Sequence, residues 1–183
     1  QYGNRTAKLN LNREPRFYSS LGFDRGIMRS WGGLWQLKMR YDEDHGRFGF
    51  TSDYLTSGYS LKKLVHPDSE GDAYNKIVPY PWPIIRLSEL YLNYAEALNE
   101  ANGPSQQVYD ALNNIRDRAG IPSVEEAWSD VSVAANPGKH TNLLGLREII
   151  QQERMIELAF EGHRYNDLRR WKIAEQFLST PLK

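Results

Sequence analysis

Glu153, Glu157 and Glu161 recur at i, i+4 and i+8, a spacing that lines three carboxylates along one side of a helix. Arg154 sits among them, and Arg164, Arg169 and Arg170 follow closely. Such a stripe has two readings. As chemistry, it could hold a metal ion or divide into a general acid and a general base. Two-metal helical bundles, however, carry an acid-x-x-His on facing helices, and the one such spacing here, Asp42 to His45, falls in a turn-rich segment. As structure, the arginines supply the counter-charge that carboxylates four residues apart require, and this ion-pair network is the favoured reading. Glycoside hydrolysis needs only two suitably spaced carboxylates, so a glycosidase using Glu153 and Glu157 is kept as a minor alternative.

The remaining chemistry-bearing residues point away from catalysis. His45, His66, His140 and His163 are scattered and form no His-x-x-x-His pair, and the chain has no cysteine, so neither a zinc site nor any other metal or cofactor is expected. Phosphate-cradling, dinucleotide-binding and serine-elbow glycine patterns are missing from the sequence. Trp31, Trp35 and Tyr41 are different in kind. They lie around Gly32 and Gly33, where exposed flat rings can cover a sugar face while their polar edges bond hydroxyls. The competing reading is that they fill a small core. Trp82, Trp128 and Trp171 carry the same ambiguity, with Trp171 expected in the core.

These residues must be positioned by two regions of different character. Of the 22 aromatic residues, 14 fall in residues 1–83, where Asp24-Arg25-Gly26, Trp31-Gly32-Gly33 and Asp44-His45-Gly46 break the chain into short extended pieces. Pro81 and Pro83 close that regime. In residues 84–183 the period becomes helical. Ile84, Leu87, Leu90, Tyr91, Tyr94, Ala95 and Leu98 predict an apolar stripe on a helix closed by Gly103-Pro104. Val108, Ala111, Leu112, Ile115 and Ala119 predict a second helix, antiparallel to the first. Residues 121–141 read as loop with a helical turn near Val124 to Trp128. Thr141 is the expected N-cap of a third helix running to Gly162, and Leu168, Trp171, Ala174 and Leu178 predict a fourth. The fold class expected is mainly α: tetratricopeptide-like helical hairpins with a loop-rich, short-strand excursion, the whole forming one structural unit. Two hairpins are too few for a free-standing solenoid, so exposed apolar surface is also expected.

The 183 residues include 23 Lys and Arg against 23 Asp and Glu, a formal net charge of zero that argues against a nucleic-acid partner. With 40% hydrophobic and 25% charged residues the chain has ordinary globular composition, which excludes disorder and collagen-like structure. No apolar run reaches the roughly 18 residues that a membrane-crossing helix needs. The chain opens on Gln1 and is expected to be a piece of something longer, with any targeting signal or lipid anchor outside it.

Five blocks in order resemble the SusD/RagB family of surface lipoproteins from Bacteroidetes. They are Glu14-Pro15-Arg16-Phe17-Tyr18; Ser57-Gly58-Tyr59-Ser60-Leu61-Lys62-Lys63-Leu64-Val65; the run from Ile85-Arg86-Leu87-Ser88-Glu89 through Tyr94-Ala95-Glu96-Ala97; Ile115-Arg116-Asp117-Arg118-Ala119-Gly120-Ile121-Pro122; and the run from Glu153-Arg154-Met155-Ile156-Glu157 through Phe160-Glu161-Gly162-His163-Arg164 to Asp167-Leu168-Arg169-Arg170-Trp171. Departures are small: Lys62 and Met155 stand where the family usually has arginine, and Ser88 where it has alanine.

The resemblance implies a carboxyl-side fragment of a non-catalytic protein. Such a protein sits on the outer face of the outer membrane through a lipid anchor and passes oligosaccharide to a SusC-like, TonB-dependent transporter. Peptide uptake, or a scaffold that docks on the transporter with no ligand site in this segment, are the alternatives. It also implies that Arg86, Glu89, Glu96, Arg116, Arg118, Glu153, Arg154, Glu157, Glu161, Arg164, Asp167 and Arg169 form a polar lattice between hairpins. Ligand residues in the family lie on variable loops, so Trp31, Trp35 and Tyr41 rest on their own chemistry.

Overall fold

The structure is a computed structural model that describes residues 6–30, 33–47, 54–69, 76–132 and 134–179. The chain divides into two compact units, residues 1–82 and 83–183.

The first unit is built from short pieces. A 3-10 turn at Lys8–Asn10 precedes helix α1 (Pro15–Ser20), which starts on a proline whose missing N–H and fixed φ suit the first helical position. Strands β1 (Leu21–Phe23) and β4 (Tyr59–Leu61) pair antiparallel, as do β2 (Ile27–Ser30) and β3 (Gly33–Gln36), with Met28 opposite Trp35. Its small core centres on Phe23 and Leu37, with Phe17 and Tyr18 against Phe23 and Tyr59 edge-on to Phe17. Polar ties substitute for the core that such short strands cannot build. The Lys62 ammonium donates to the carbonyls of Tyr18 (2.8 Å) and Ile27 (3.2 Å), joining α1 to β2, and its burial lowers its pKa.

The second unit is helical: α2 (Leu87–Asn102), α3 (Gln106–Arg118), α4 (Val124–Ser129), α5 (Leu143–Glu157), α6 (His163–Arg170) and α7 (Ala174–Leu178). Helices α2 and α3 pack as a hairpin and α5 lies against α2. Leu92, Ala95, Val108, Ala111, Leu112, Ile115, Leu146, Ile149 and Ile150 form the core, flanked by Val124 and Leu158. Side-chain bonds fix the contacts: Asn99 donates to the Leu143 carbonyl (3.1 Å), and the Tyr109 hydroxyl to that of His140 (3.0 Å). Helix α4 opens on a capping box, Ser123 with Glu126.

Four expectations are corrected. The buried side of α2 is Ser88, Leu92, Ala95 and Asn99, whereas Leu87, Leu90 and Tyr94 face outward and Ile84 precedes the helix. This helix carries apolar residues on two sides, and the side that is buried mixes Leu92 and Ala95 with the polar Ser88 and Asn99. The cap of α5 is Asn142, whose side chain accepts from the Gly145 N–H (2.9 Å), while Thr141 ends a 3-10 turn. Helix α5 also stops at Glu157 and not at Gly162. Phe160 (φ 68°) and Gly162 (φ 83°) are left-handed, so Glu161 projects from a turn. The fourth helix is likewise divided, α6 ending before Lys172, which has φ 58°.

The carboxylates of α5 nevertheless converge on arginines from other helices. Arg86, in extended backbone just before α2, donates to Glu157 (3.1 Å) and grips both oxygens of Glu161 (2.8 and 2.7 Å). Arg118 meets Glu157 at 2.5 Å and Arg116 meets Glu153 at 2.7 Å. Arg154 bonds Asp167 and Asn93, each at 2.7 Å, with Glu89 3.8 Å away. Arg170 links Asp167 to Glu96, which also accepts from the Trp171 indole (2.8 Å). Arg164 and Arg169 are placed differently, lying over the rings of Phe177 and Tyr165. Glu157 is only 3% exposed. Burial pushes its carboxyl up, but Arg118, a hydrogen bond from Ser88 and Arg86 outweigh that and hold it below the usual glutamate range.

Two predictions follow from this packing. A group with a depressed folded-state pKa stabilises above its unfolded value, and that contribution is lost as pH falls through the folded one. Glu157→Gln should therefore lower the urea midpoint at neutral pH, and the gap from wild type should close on acidification; Arg86→Ala should cost about 3 kcal/mol at pH 7 by removing the guanidinium that bridges Glu157 and Glu161. Gly145, in the first turn of α5, is a point of close approach: a Cβ there would lie 2.0 Å from the Lys139 carbonyl oxygen. Gly145→Ala should destabilise by about 2 kcal/mol in the same measurement, despite the better helix propensity of alanine.

Candidate binding surface

The residues chosen for sugar-stacking chemistry fall on the first unit. Trp31 lies outside the described residues. Trp35 is on β3, 38% exposed, its ring 4.9 Å from that of His45 and tilted by 47°. Tyr41 is 63% exposed on the loop that follows β3.

That loop owes its shape to charge pairs. After β3, Leu37 is buried and its N–H and carbonyl bond the backbone of Gly26 and Arg25, anchoring the loop's entry. Asp24 accepts from the Met39 N–H and from Arg40, both at 3.1 Å, and Arg25 pairs with Glu43. The bond to Arg25 dominates in holding the Glu43 carboxyl below its usual range. Gly46 closes the loop against the Arg40 carbonyl, where a Cβ would overlap backbone. His45 is held by its N–H to the Lys38 carbonyl (2.9 Å), which sets its ring beside Trp35.

Tyr41 borders an open hollow of about 520 Å³, whose other walls include Met39, Arg47, Tyr54, Leu55 and Thr56. Two phenols, a guanidinium, a threonine hydroxyl and apolar side chains therefore face one space. This mixture suits a neutral, hydroxyl-rich ligand: aromatic faces for C–H surfaces, donors for oxygen atoms. Tyr54 was not singled out in the sequence, since no spacing connects it to Tyr41; only the folding back of the chain does so.

A second hollow, of about 460 Å³, lies on the helical unit between Gln151, Gln152 and Met155 of α5 and Gln176 and Phe177 of α7, with Arg164 at its wall. Trp128 is half-buried against the helical core with the Lys139 ammonium over its ring. Trp171 is also half-buried, held by its indole N–H on Glu96 and by Arg170 over its face. Trp82 is 63% exposed. Glu153, Glu157 and Glu161 are engaged by arginines from other parts of the helical unit, which leaves this set without a carboxylate poised over open solvent.

Comparisons with known proteins agree with the sequence blocks. The model of the SusD family matches residues 1–181. SusD-like protein P25 of Formosa agariphila is 39% identical over 90 residues, 49% of this chain but 15% of that protein. Among solved structures, a SusD-like carbohydrate binding protein from Bacteroides fragilis superposes with a TM-score of 0.71 at 28% identity, covering 98% of this chain and 33% of that one. The structure of BT4246 gives the same TM-score at 31% identity, covering 95% of this chain and 28% of that one. This chain thus spans about a third or less of the relatives it matches. With residues 1–181 matched by the family model and the fold superposing on a SusD-like carbohydrate binding protein, the chain belongs to the SusD family.

Proposed function

We propose that this chain is part of a non-catalytic, cell-surface protein that binds oligosaccharide and delivers it to a TonB-dependent transporter in the outer membrane. The observation that carries the reading is the hollow beside Tyr41, where aromatic side chains meet the Arg47 guanidinium and the Thr56 hydroxyl next to a loop held by ion pairs. Membership in a family that includes a carbohydrate binding protein supports it. The helical acids support the non-catalytic part, because a general acid or base must reach its substrate and these carboxylates are engaged by arginines.

Trp35 and Tyr41 then act as stacking surfaces, and Arg47 and Thr56 as groups within reach of sugar hydroxyls. Each stacked ring contributes about 0.5–1.5 kcal/mol, by analogy with aromatic pairs, so binding through this surface alone is weak and grows with the number of rings engaged. Calorimetry of the full-length protein against oligosaccharides selected on a glycan array tests the reading. Tyr41→Ala and Trp35→Ala should each weaken binding about three- to tenfold without a change in the unfolding midpoint. Absence of binding to any oligosaccharide, or release of reducing sugar that Glu153→Gln abolishes, would overturn it.

A further inference from the structure

The first unit carries another row of rings, remote in sequence from Trp35 and Tyr41. The rings of His66 and Tyr80 have centroids 6.5 Å apart with planes 37° apart, and those of Tyr80 and Trp82 are 6.3 Å and 33° apart. Tyr80 is therefore the shared neighbour of the other two rings, tilted against each of them. Tyr80 and Trp82 alternate with Pro79, Pro81 and Pro83, whose rings fix φ and favour extended backbone, and residues two apart along an extended chain project to the same side. Proline spacing thus places both rings in one row before any ligand arrives.

The row is also tied down. The Tyr80 hydroxyl donates to the Leu64 carbonyl (2.7 Å), and the Val78 N–H donates to Ser69 Oγ (3.0 Å), joining the two segments that carry the rings. The Asp68 N–H donates to His66 Nδ1 at 3.2 Å. With Nδ1 accepting, the neutral imidazole carries its proton on Nε2, which makes that edge a donor. Trp82 is the most open member, and its indole N–H gives the other end of the row a second donor.

We infer that His66, Tyr80 and Trp82 form a second glycan-binding platform, which takes successive rings of a linear neutral oligosaccharide. This rests on the oligosaccharide reading given above and extends it to a separate set of residues. Neighbouring aromatic rings with N–H donors on His66 and Trp82 match successive pyranose rings, each with an apolar C–H face and a rim of hydroxyls. A peptide would instead use a free strand edge or side-chain pockets, and the alternating prolines remove the donors that an edge needs. Preorganisation matters because rings already fixed lose little rotamer freedom on binding.

The test is calorimetry of the full-length protein with neutral glucan, mannan and galactan oligosaccharides from monosaccharide to hexasaccharide, beside a proline-rich peptide as control. For one of these series affinity should rise with each added sugar up to the trisaccharide. Trp82→Ala should raise its Kd roughly three- to tenfold and Trp82→Phe much less, with unchanged unfolding midpoints. In the unmutated protein, a saturating hexasaccharide should protect Trp82 from oxidation by N-bromosuccinimide, read by peptide mass. If oligosaccharide binds, is weakened by Tyr41→Ala, and is indifferent to Trp82→Ala without protecting Trp82, the platform is wrong and the uptake reading stands. Binding of no oligosaccharide, or of the peptide alone, overturns both.

Discussion

The helical unit depends on the burial of charge at the end of α5. An isolated carboxylate as enclosed as that of Glu157 would be far too costly to keep ionised, so the fold exists only where cations reach it. Arg86 and Arg118 do so from either end of the α2–α3 hairpin. Because Arg86 stands at the entry to α2, its bonds fix where the chain turns into that helix relative to the last turn of α5. Arg116 on Glu153 repeats the constraint one turn earlier. From Arg154 the pairing runs on through Asp167 and Arg170 to Glu96, which brings α6 into the same frame. Apolar packing among Leu92, Leu112, Ile115 and Ile150 supplies most of the driving force, but it is tolerant of sliding. Charge pairs at short distances are not, and they choose one register from the several that the apolar surfaces would accept.

Much of this was legible in sequence because it follows periodicity. Helices closed by Gly103-Pro104 and Gly120 and the helical turn after Pro122 follow from local rules, whereas Arg86, Arg116 and Arg118 as lattice residues came only with the family resemblance. The errors share a cause. Periodicity alone put Leu87, Leu90 and Tyr94 inside, whereas α2 buries Ser88, Leu92, Ala95 and Asn99, a face that mixes apolar and polar side chains. Likewise the i, i+4, i+8 pattern suggested that α5 continues to Glu161, and nothing local signals that Phe160 adopts a left-handed conformation. The turn delivers Glu161 to Arg86, a partner remote in sequence that the arginines next to the acid stripe did not indicate. Neither Tyr54 beside the hollow nor the Tyr80–Trp82 row was readable, since each requires knowing how loops fold back.

Placing ligand-recognition chemistry on the short-strand unit has a physical rationale on the proposed reading. In a helix, side chains radiate around a cylinder at about 100° per residue, so rings close in sequence point in different directions. An extended backbone sends every second side chain to one side, and proline between those positions prevents the backbone from curling away. A row of rings is therefore easy to build on residues 79–83 and hard to build on α2 or α5. The same division separates stability from specificity. Exchanging Tyr41 or Trp82 removes surface that is largely in water and disturbs no buried charge, whereas exchanging Arg86 or Glu157 breaks a buried charge network. A chain arranged in this way can change what its loops recognise while its helices stay locked, because the interactions that fix the register and those that meet a ligand share no residue.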